Sequence, residues 1–301
     1  MRTAYLGTSD FAATVLRRLA DSPHRPALVV TPPDRRRGRG RKVSPPPAAL
    51  AAGELGLELL QAENVNEEGA LERIRAARPE AVVVCAFGQL IREPLLSEFP
   101  MLNVHPSLLP RWRGAAPIER AMMARDETTG VCVMRLTAGL DSGPVALVEE
   151  TPINPEEDFA ALAARLAEIG GDLLVRALDL QAEGALEFTE QDEEGVTYAE
   201  KIDPTERRLD PDRPAAELAA KVRALTPHVG VYIEAASGER LGLREAHEVE
   251  TDVGRGTLEV RDGTLLLGCG EGALRLDIIQ PPGGKAMPAD AYLRGHQPPQ
   301  L

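Results

Sequence analysis

The chain has 301 residues, 43% of them hydrophobic and 27% charged, and its 34 Lys+Arg stand against 47 Asp+Glu for a net charge of -13. That length favours two domains over one core. The charge excludes unspecific adhesion of the whole surface to nucleic acid or anionic lipid, so any polyanion has to be met by a local patch.

No stretch has the length and apolarity of a membrane span, and the opening MRTAYLGTSDF lacks the form of a signal peptide. The three cysteines, Cys85, Cys132 and Cys269, have no CxxC spacing, which points to neither a disulfide framework nor a zinc site. A cytoplasmic protein with no membrane partner is expected.

In chain order, TAYLG, FAATVLRRLAD, PALVVT, ALERIRAARPE and AVVVCAFG alternate strand-like and helical patterns. Val82, Val83 and Val84 form a continuous β-branched run, as a parallel strand covered on both faces requires. The pattern predicts an α/β fold, a Rossmann-like doubly wound sheet that is mostly parallel. Ligands of such sheets bind beyond the carboxyl ends of the strands, so the loops after Leu6, Val84 and Val104 are the places to search. GTSDFA, Gly7 to Ala12, offers backbone N–H groups to an anion but lacks the glycines of GxGxxG, so a tight turn is expected and a nicotinamide dinucleotide is not.

DRRRGRGRK, Asp34 to Lys42, then places six cations among nine residues: Arg35, Arg36, Arg37, Arg39, Arg41 and Lys42. On composition alone this is either a solvated arginine run or the local patch that a polyanion needs.

From Gly130, VCVMRL and PVALVEETPI predict an antiparallel strand pair joined by the glycine-bearing TAGLDSG. A helix follows, with Asn154 as cap, Pro155 in its first position, Glu156 and Glu157 at the positive dipole end and Phe159, Leu162, Leu166 and Ile169 on one face. It should end near Gly184. The polar stretch LEFTEQDEEGVTYAEKIDPTERRLDPDRP has little periodicity and suits an interdomain linker. Residues 1–184 thus form one domain, 185–208 a linker and 209–301 a second. In the second, AAELAAKVRAL is helical and GVYIEAA, ERLGLREAHEV, GTLEVRDG, TLLLGCG and ALRLDIIQP are short strands of a small β-barrel.

The chemistry concentrates in LNVHPSLLPRWRGAAPIERAM, Leu102 to Met122. On an extended strand Asn103 and His105 share one face while Leu102 and Val104 anchor the other. An amide beside an imidazole can polarise a carbonyl and move a proton, although such a pair is also a common structural hydrogen bond. Asp141 in LDSG is a turn residue by type that could reach the imidazole through space. No ligand set for a metal is determined by these residues.

Taken together, NVHPSLLPRWRGAAPI followed by GLDSGPV resembles the signature of the 10-formyltetrahydrofolate-dependent formyltransferases. The resemblance puts Asn103, His105 and Asp141 on the catalytic triad and Ser107, Leu108, Leu109 and Pro110 on the loop that contacts the folate. It also aligns AFGQLI, with Phe87, Gly88, Gln89, Leu90 and Ile91, with the strand end beside the pterin pocket. AYLGTSDFA, YAEKIDPTERRLD from Tyr198 and QPPGGKAMPADAYLRGHQ from Gln280 are similar to the members of that family whose acceptor is initiator methionyl-tRNA. The other acceptor to consider is a small amine such as an amino-sugar nucleotide.

The resemblance implies 10-formyltetrahydrofolate as a consumed cosubstrate, with no metal and no DNA partner. It makes the second domain an OB-like barrel in contact with tRNA, and it brings the basic segment from Arg35 to Lys42 to the tRNA acceptor arm. Asn103 and His105 would serve the oxyanion and Asp141 would orient His105, with either of the latter two as base. From Asp203 onward, however, 12 Lys+Arg face 16 Asp+Glu, which leaves the second domain acidic.

Overall fold

A computed structural model describes residues 1–37 and 42–301, with side chains described outside 37–42. The chain divides into two compact units. The first comprises Met1–Gly114, Thr128–Pro152 and Ala163–Tyr198, and the second Ala115–Glu127, Ile153–Leu162 and Ala199–Leu301.

The elements of the first half run β1 (Thr3–Gly7), α1 (Asp10–Ala20), β2 (Pro26–Thr31), β3 (Arg35–Arg37), β4 (Lys42–Ser44), α2 (Pro47–Glu54), β5 (Leu59–Gln61), α3 (Glu68–Ala77), β6 (Ala81–Cys85), α4 (Leu95–Glu98) and β7 (Met101–His105). They continue with β8 (Arg113–Gly114), α5 (Pro117–Met123), β9 (Thr128–Arg135), β10 (Val145–Pro152) and α6 (Phe159–Ala182). A seven-stranded sheet has the order β10-β9-β7-β6-β1-β2-β5. Strands β1, β2, β5, β6 and β7 are mutually parallel, while β9 runs antiparallel to β7, and β10, at the edge, runs antiparallel to β9. This is the doubly wound, mostly parallel sheet that the sequence predicts. The chain leaves β1 toward β2 and β5 and returns on its other side at β6, so the switch point lies between β1 and β6.

Burial explains the strand composition. Every residue of β6 is buried, because α3 covers one face through Leu71 and Ile74, and Val82 and Val84 belong to that core. Helix α1 buries Val15, Leu16 and Leu19, each contributing about 1.5–3 kcal/mol by leaving water. The GTSDFA turn ends at the cap of α1, where the Ser9 hydroxyl accepts from the Ala12 N–H at 3.3 Å.

Helix α6 begins later than the sequence suggests. Asn154 does not cap it: its carbonyl accepts from the Glu157 N–H at 3.1 Å and its own N–H donates to the Glu157 carboxylate at 2.7 Å, closing a separate turn. Asp158 caps instead, accepting from the Ala161 N–H at 2.9 Å. The adjacent Gly170 and Gly171 permit close packing. A Cβ on Gly170 would lie 2.9 Å from Val104 Cγ1, and one on Gly171 would lie 2.8 Å from Arg18 Cβ. The basic segment also departs from a plain loop, since Arg35–Arg37 pairs antiparallel with Lys42–Ser44. Arg39 and Arg41 lie outside the described residues.

After β11 (Tyr198–Ala199), the second unit carries α7 (Ala215–Leu225), β12 (Val231–Glu234), β13 (Arg240–Val249), β14 (Leu258–Arg261), β15 (Thr264–Gly268), β16 (Ala273–Gln280), β17 (Met287–Pro288) and α8 (Ala289–Leu293). Strands β12 to β17 form one six-stranded antiparallel sheet, with β13 and β16 at its centre. This is the smaller β-domain expected.

Here the polar stretch before α7 is well anchored. Pro204–Arg207 forms a 3-10 turn with a capping box between Asp203 and Glu206. Arg120 of α5 grips Glu206 through two bonds of 2.6 and 2.9 Å, and this contact holds the Glu206 carboxyl below its ordinary range. Among the described residues, no helix is long and apolar enough to cross a membrane.

Candidate active site

Strand β7 is hydrogen-bonded on both sides, parallel to β6 and antiparallel to β9, which fixes the face each residue presents. Leu102 and Val104 are buried on one face. Asn103 and His105 therefore emerge together on the other, at 8% and 4% exposure, next to Pro106 where the strand stops.

Asp141 comes to them from the connection between β9 and β10. Its carboxylate accepts from the Gly114 N–H at 2.9 Å and from Asn103 Nδ2 at 3.4 Å, and its Oδ2 stands 3.7 Å from His105 Nδ1. The structure thus brings together the three residues that the sequence singled out.

The imidazole is oriented by its other nitrogen. His105 Nε2 lies 2.9 Å from the Trp112 carbonyl, which can only accept, so Nε2 carries the hydrogen and the neutral ring leaves Nδ1 as an acceptor. Nδ1 and the Asp141 carboxylate then face each other as two acceptors across 3.7 Å. An N–H or O–H donor suits that gap.

The Asp141 loop is itself held. Asp141 has φ 44°, in the left-handed region that costs a residue with a Cβ. Gln191 Nε2 donates to the Asp141 carbonyl at 2.8 Å and to the Gly143 carbonyl at 2.7 Å, while its Oε1 accepts from Arg113 Nε at 2.9 Å. Arg113 is 7% exposed. Sequence reading missed Gln191, which sits in the aperiodic stretch assigned to a linker. It also missed Trp112 as the partner of His105, although Trp112 is the chain's single tryptophan.

The remaining predicted site residues surround the carboxyl ends of the strands. Ser107 is fully buried and donates from Oγ to the Arg111 carbonyl at 2.6 Å, so its hydroxyl shapes the 107–111 turn that carries Leu108, Leu109 and Pro110. After β6, the Phe87 carbonyl accepts from Thr8 Oγ1 at 2.6 Å, which joins the loops on either side of the switch point. Gln89 is occupied structurally, accepting from the Val65 N–H at 2.8 Å and donating to the Ala62 carbonyl at 2.9 Å. Phe87 and Ile91 belong to the core. Gly88 has φ +79° with open space where a Cβ would stand, and Leu90 is 64% exposed. Backbone at Gly88 and the apolar side chain of Leu90 are thus the accessible features of this segment. Arg35 and Arg36 are exposed, and the described part of Arg37 and Lys42 is their strand backbone.

A cavity of about 470 Å³ lies elsewhere, in the second unit, lined by Arg125, Arg223, Glu127, Glu156, His247 and Glu248 among others. It contains none of the residues above and mixes both signs of charge. Near it, Glu245, His247 and Asp277 have spacing suited to a metal, but Arg275 donates to Asp277 at 2.9 Å and supplies the positive charge there.

Comparison with known proteins identifies the family. The formyl transferase family model matches residues 1–178, and the model of the formyl transferase C-terminal domain matches residues 201–297. The chain belongs to the formyl transferase family. Within it, the methionyl-tRNA formyltransferase of Ruegeria pomeroyi is 43% identical over 303 residues, covering 100% of this chain and 99% of that one. That of Methylobacillus flagellatus is 42% identical over 299 residues, covering 98% and 97%. A crystal structure of an N-formyltransferase from Helicobacter canadensis, in complex with folinic acid and dTDP-3-aminofucose, shares the fold. Its TM-score is 0.68 at 13% identity, over 91% of this chain and 98% of that one.

Proposed function

We propose that this chain transfers the formyl group of 10-formyltetrahydrofolate to the α-amino group of methionine carried on initiator tRNA, with Asn103, His105 and Asp141 as the catalytic residues. The observation that carries the reading is the convergence of these three side chains at the end of β7, with two proton acceptors facing one gap.

The amine has to attack as the free base, and the formyl oxygen gains negative charge as it does so. Asn103 Nδ2 is the donor for that oxygen. His105, its Nε2 hydrogen committed to Trp112, receives at Nδ1 the proton that the attacking nitrogen sheds, and Asp141 stabilises the resulting imidazolium. The proton then returns to the departing N10 nitrogen of the folate. The folate supplies the one-carbon unit and is consumed.

Ser107 to Pro110 and Phe87 to Ile91 border the folate. Gly88 and Leu90 face it most directly, whereas the side chains of Ser107 and Gln89 support the loops. The cationic segment Arg35, Arg36, Arg37, Arg39, Arg41 and Lys42 meets tRNA phosphates, where arginine offers paired donors. In domain terms, residues 1–184 carry the chemistry, 185–208 link, and 209–301 contact the tRNA; the site of action is the cytoplasm.

The test supplies labelled 10-formyltetrahydrofolate with initiator Met-tRNA, elongator Met-tRNA and free methionine in parallel, and scores acid-precipitable label. Label on initiator Met-tRNA alone is expected. Release of tetrahydrofolate with no label on any acceptor would overturn the assignment.

A further inference from the structure

We propose that Gln191 is a positioning residue for formyl transfer, holding Asp141 in its working conformation while Arg113 locks the amide; this rests on the catalytic role of Asp141 proposed above.

The amide orientation follows from its partners. Arg113 Nε can only donate, so the Gln191 atom facing it at 2.9 Å is the oxygen. The nitrogen is thereby turned to the Asp141 and Gly143 carbonyls, at 2.8 and 2.7 Å, and both of its hydrogens are used. One side chain thus pins the loop on both sides of Ser142.

The loop needs such a pin. Asp141 occupies the left-handed region at φ 44°, a conformation that persists only where surrounding contacts over-determine it. Gly143 is pressed against β9: a Cβ there would fall 2.0 Å from the Arg135 carbonyl, so the loop cannot adjust at that end. Among the described residues, the Asp141 carboxylate itself has only Gly114 N–H at 2.9 Å and the long Asn103 contact at 3.4 Å to direct it. Its placement relative to His105 therefore depends on the backbone beneath it, and Gln191 holds that backbone.

Gln191→Glu separates the two halves of the clamp. The carboxylate keeps and strengthens the Arg113 contact, but it has no hydrogen for either carbonyl and repels both. With Asp141 displaced, kcat should fall about 10- to 100-fold, the cost of misplacing a reacting group by roughly 1 Å. KM for folate and for Met-tRNA should stay within about twofold, because ground-state contacts are untouched. Gln191→Met, uncharged and of similar length, should give the same split and serves if the glutamate variant folds poorly.

The deciding measurement is a cycle with Asp141→Asn. If Gln191 acts through Asp141, the double variant is no slower than Asp141→Asn alone, as residues that act as a unit require. Multiplied losses in the cycle, or a rise in KM with unchanged kcat, would overturn the proposal. Full activity of Asp141→Asn by itself would instead remove the catalytic reading of Asp141, and the proposal with it.

Discussion

Asn103 separates folding from catalysis most cleanly. Among the described residues its amide makes only the long 3.4 Å bond to Asp141, so the fold gains little from it, whereas the oxyanion role proposed for it acts at the transition state. Asn103→Ala should lose about 10²- to 10³-fold in kcat with a melting temperature close to that of the parent. Normal turnover would take the oxyanion role from this residue.

Glu206 is the converse, a residue of the fold with no place in the chemistry. Its carboxyl is held below the ordinary range, first by the Arg120 bonds, so it binds fewer protons folded than unfolded and stabilises the protein above the ordinary glutamate pKa of about 4.3. That contribution is lost as pH falls through the depressed folded value. Glu206→Gln should cost about 1 kcal/mol at pH 7 after allowance for solvent at a partly open pair, and the gap should close toward pH 3. Urea midpoints across that range measure it; a gap independent of pH would deny the ionic origin.

Among the elements, paired glycines show how context reverses a propensity. Among the described residues, Gly53 in α2 has no packing neighbour within 4 Å of where its Cβ would stand, so Gly53→Ala should stabilise by about 0.5–1 kcal/mol. Gly170 in α6 would drive a Cβ to 2.9 Å from Val104, between Asn103 and His105, so Gly170→Ala should destabilise by about 1–3 kcal/mol and also lower kcat. Urea unfolding midpoints of the two variants should move in opposite directions, and turnover should fall only in the second.

The same elements show what was legible beforehand. The β-branched run of β6 and the alternation in β7 are written in the sequence because a covered strand leaves no other solution, and they led to Asn103 and His105. The start of α6 was misplaced because Asn154, Pro155 and Asp158 all suit a helix start, and only the local turn at Glu157 decides among them. Gln191 was hidden because a side chain that bonds two backbone carbonyls across a loop leaves no periodic trace.

For the whole molecule, charge sets the test. With a net charge of -13, the chain as a whole repels a polyanion, and the proposed recognition by the segment that contains Arg35 and Arg36 is open to an ionic test. KM for Met-tRNA should rise with ionic strength. Replacing Arg35, Arg36, Arg39 and Arg41 with Ala should flatten the slope of log affinity against log salt by about 0.7–0.9 for each phosphate that is no longer neutralised. An unaltered slope would place tRNA recognition elsewhere.

The pairing of β7 on both sides also decides which kinds of genetic change the site tolerates. A strand locked to two neighbours cannot absorb one added or lost residue between Met101 and Pro106, because such a slip within the ladder would exchange Asn103 and His105 for Leu102 and Val104. Point changes there grade the rate, whereas a change of length abolishes the site and turns two polar groups toward the apolar side of the strand. Inserting or deleting one residue between Met101 and Pro106 should therefore abolish turnover, whereas the surface connections have no such ladder to break.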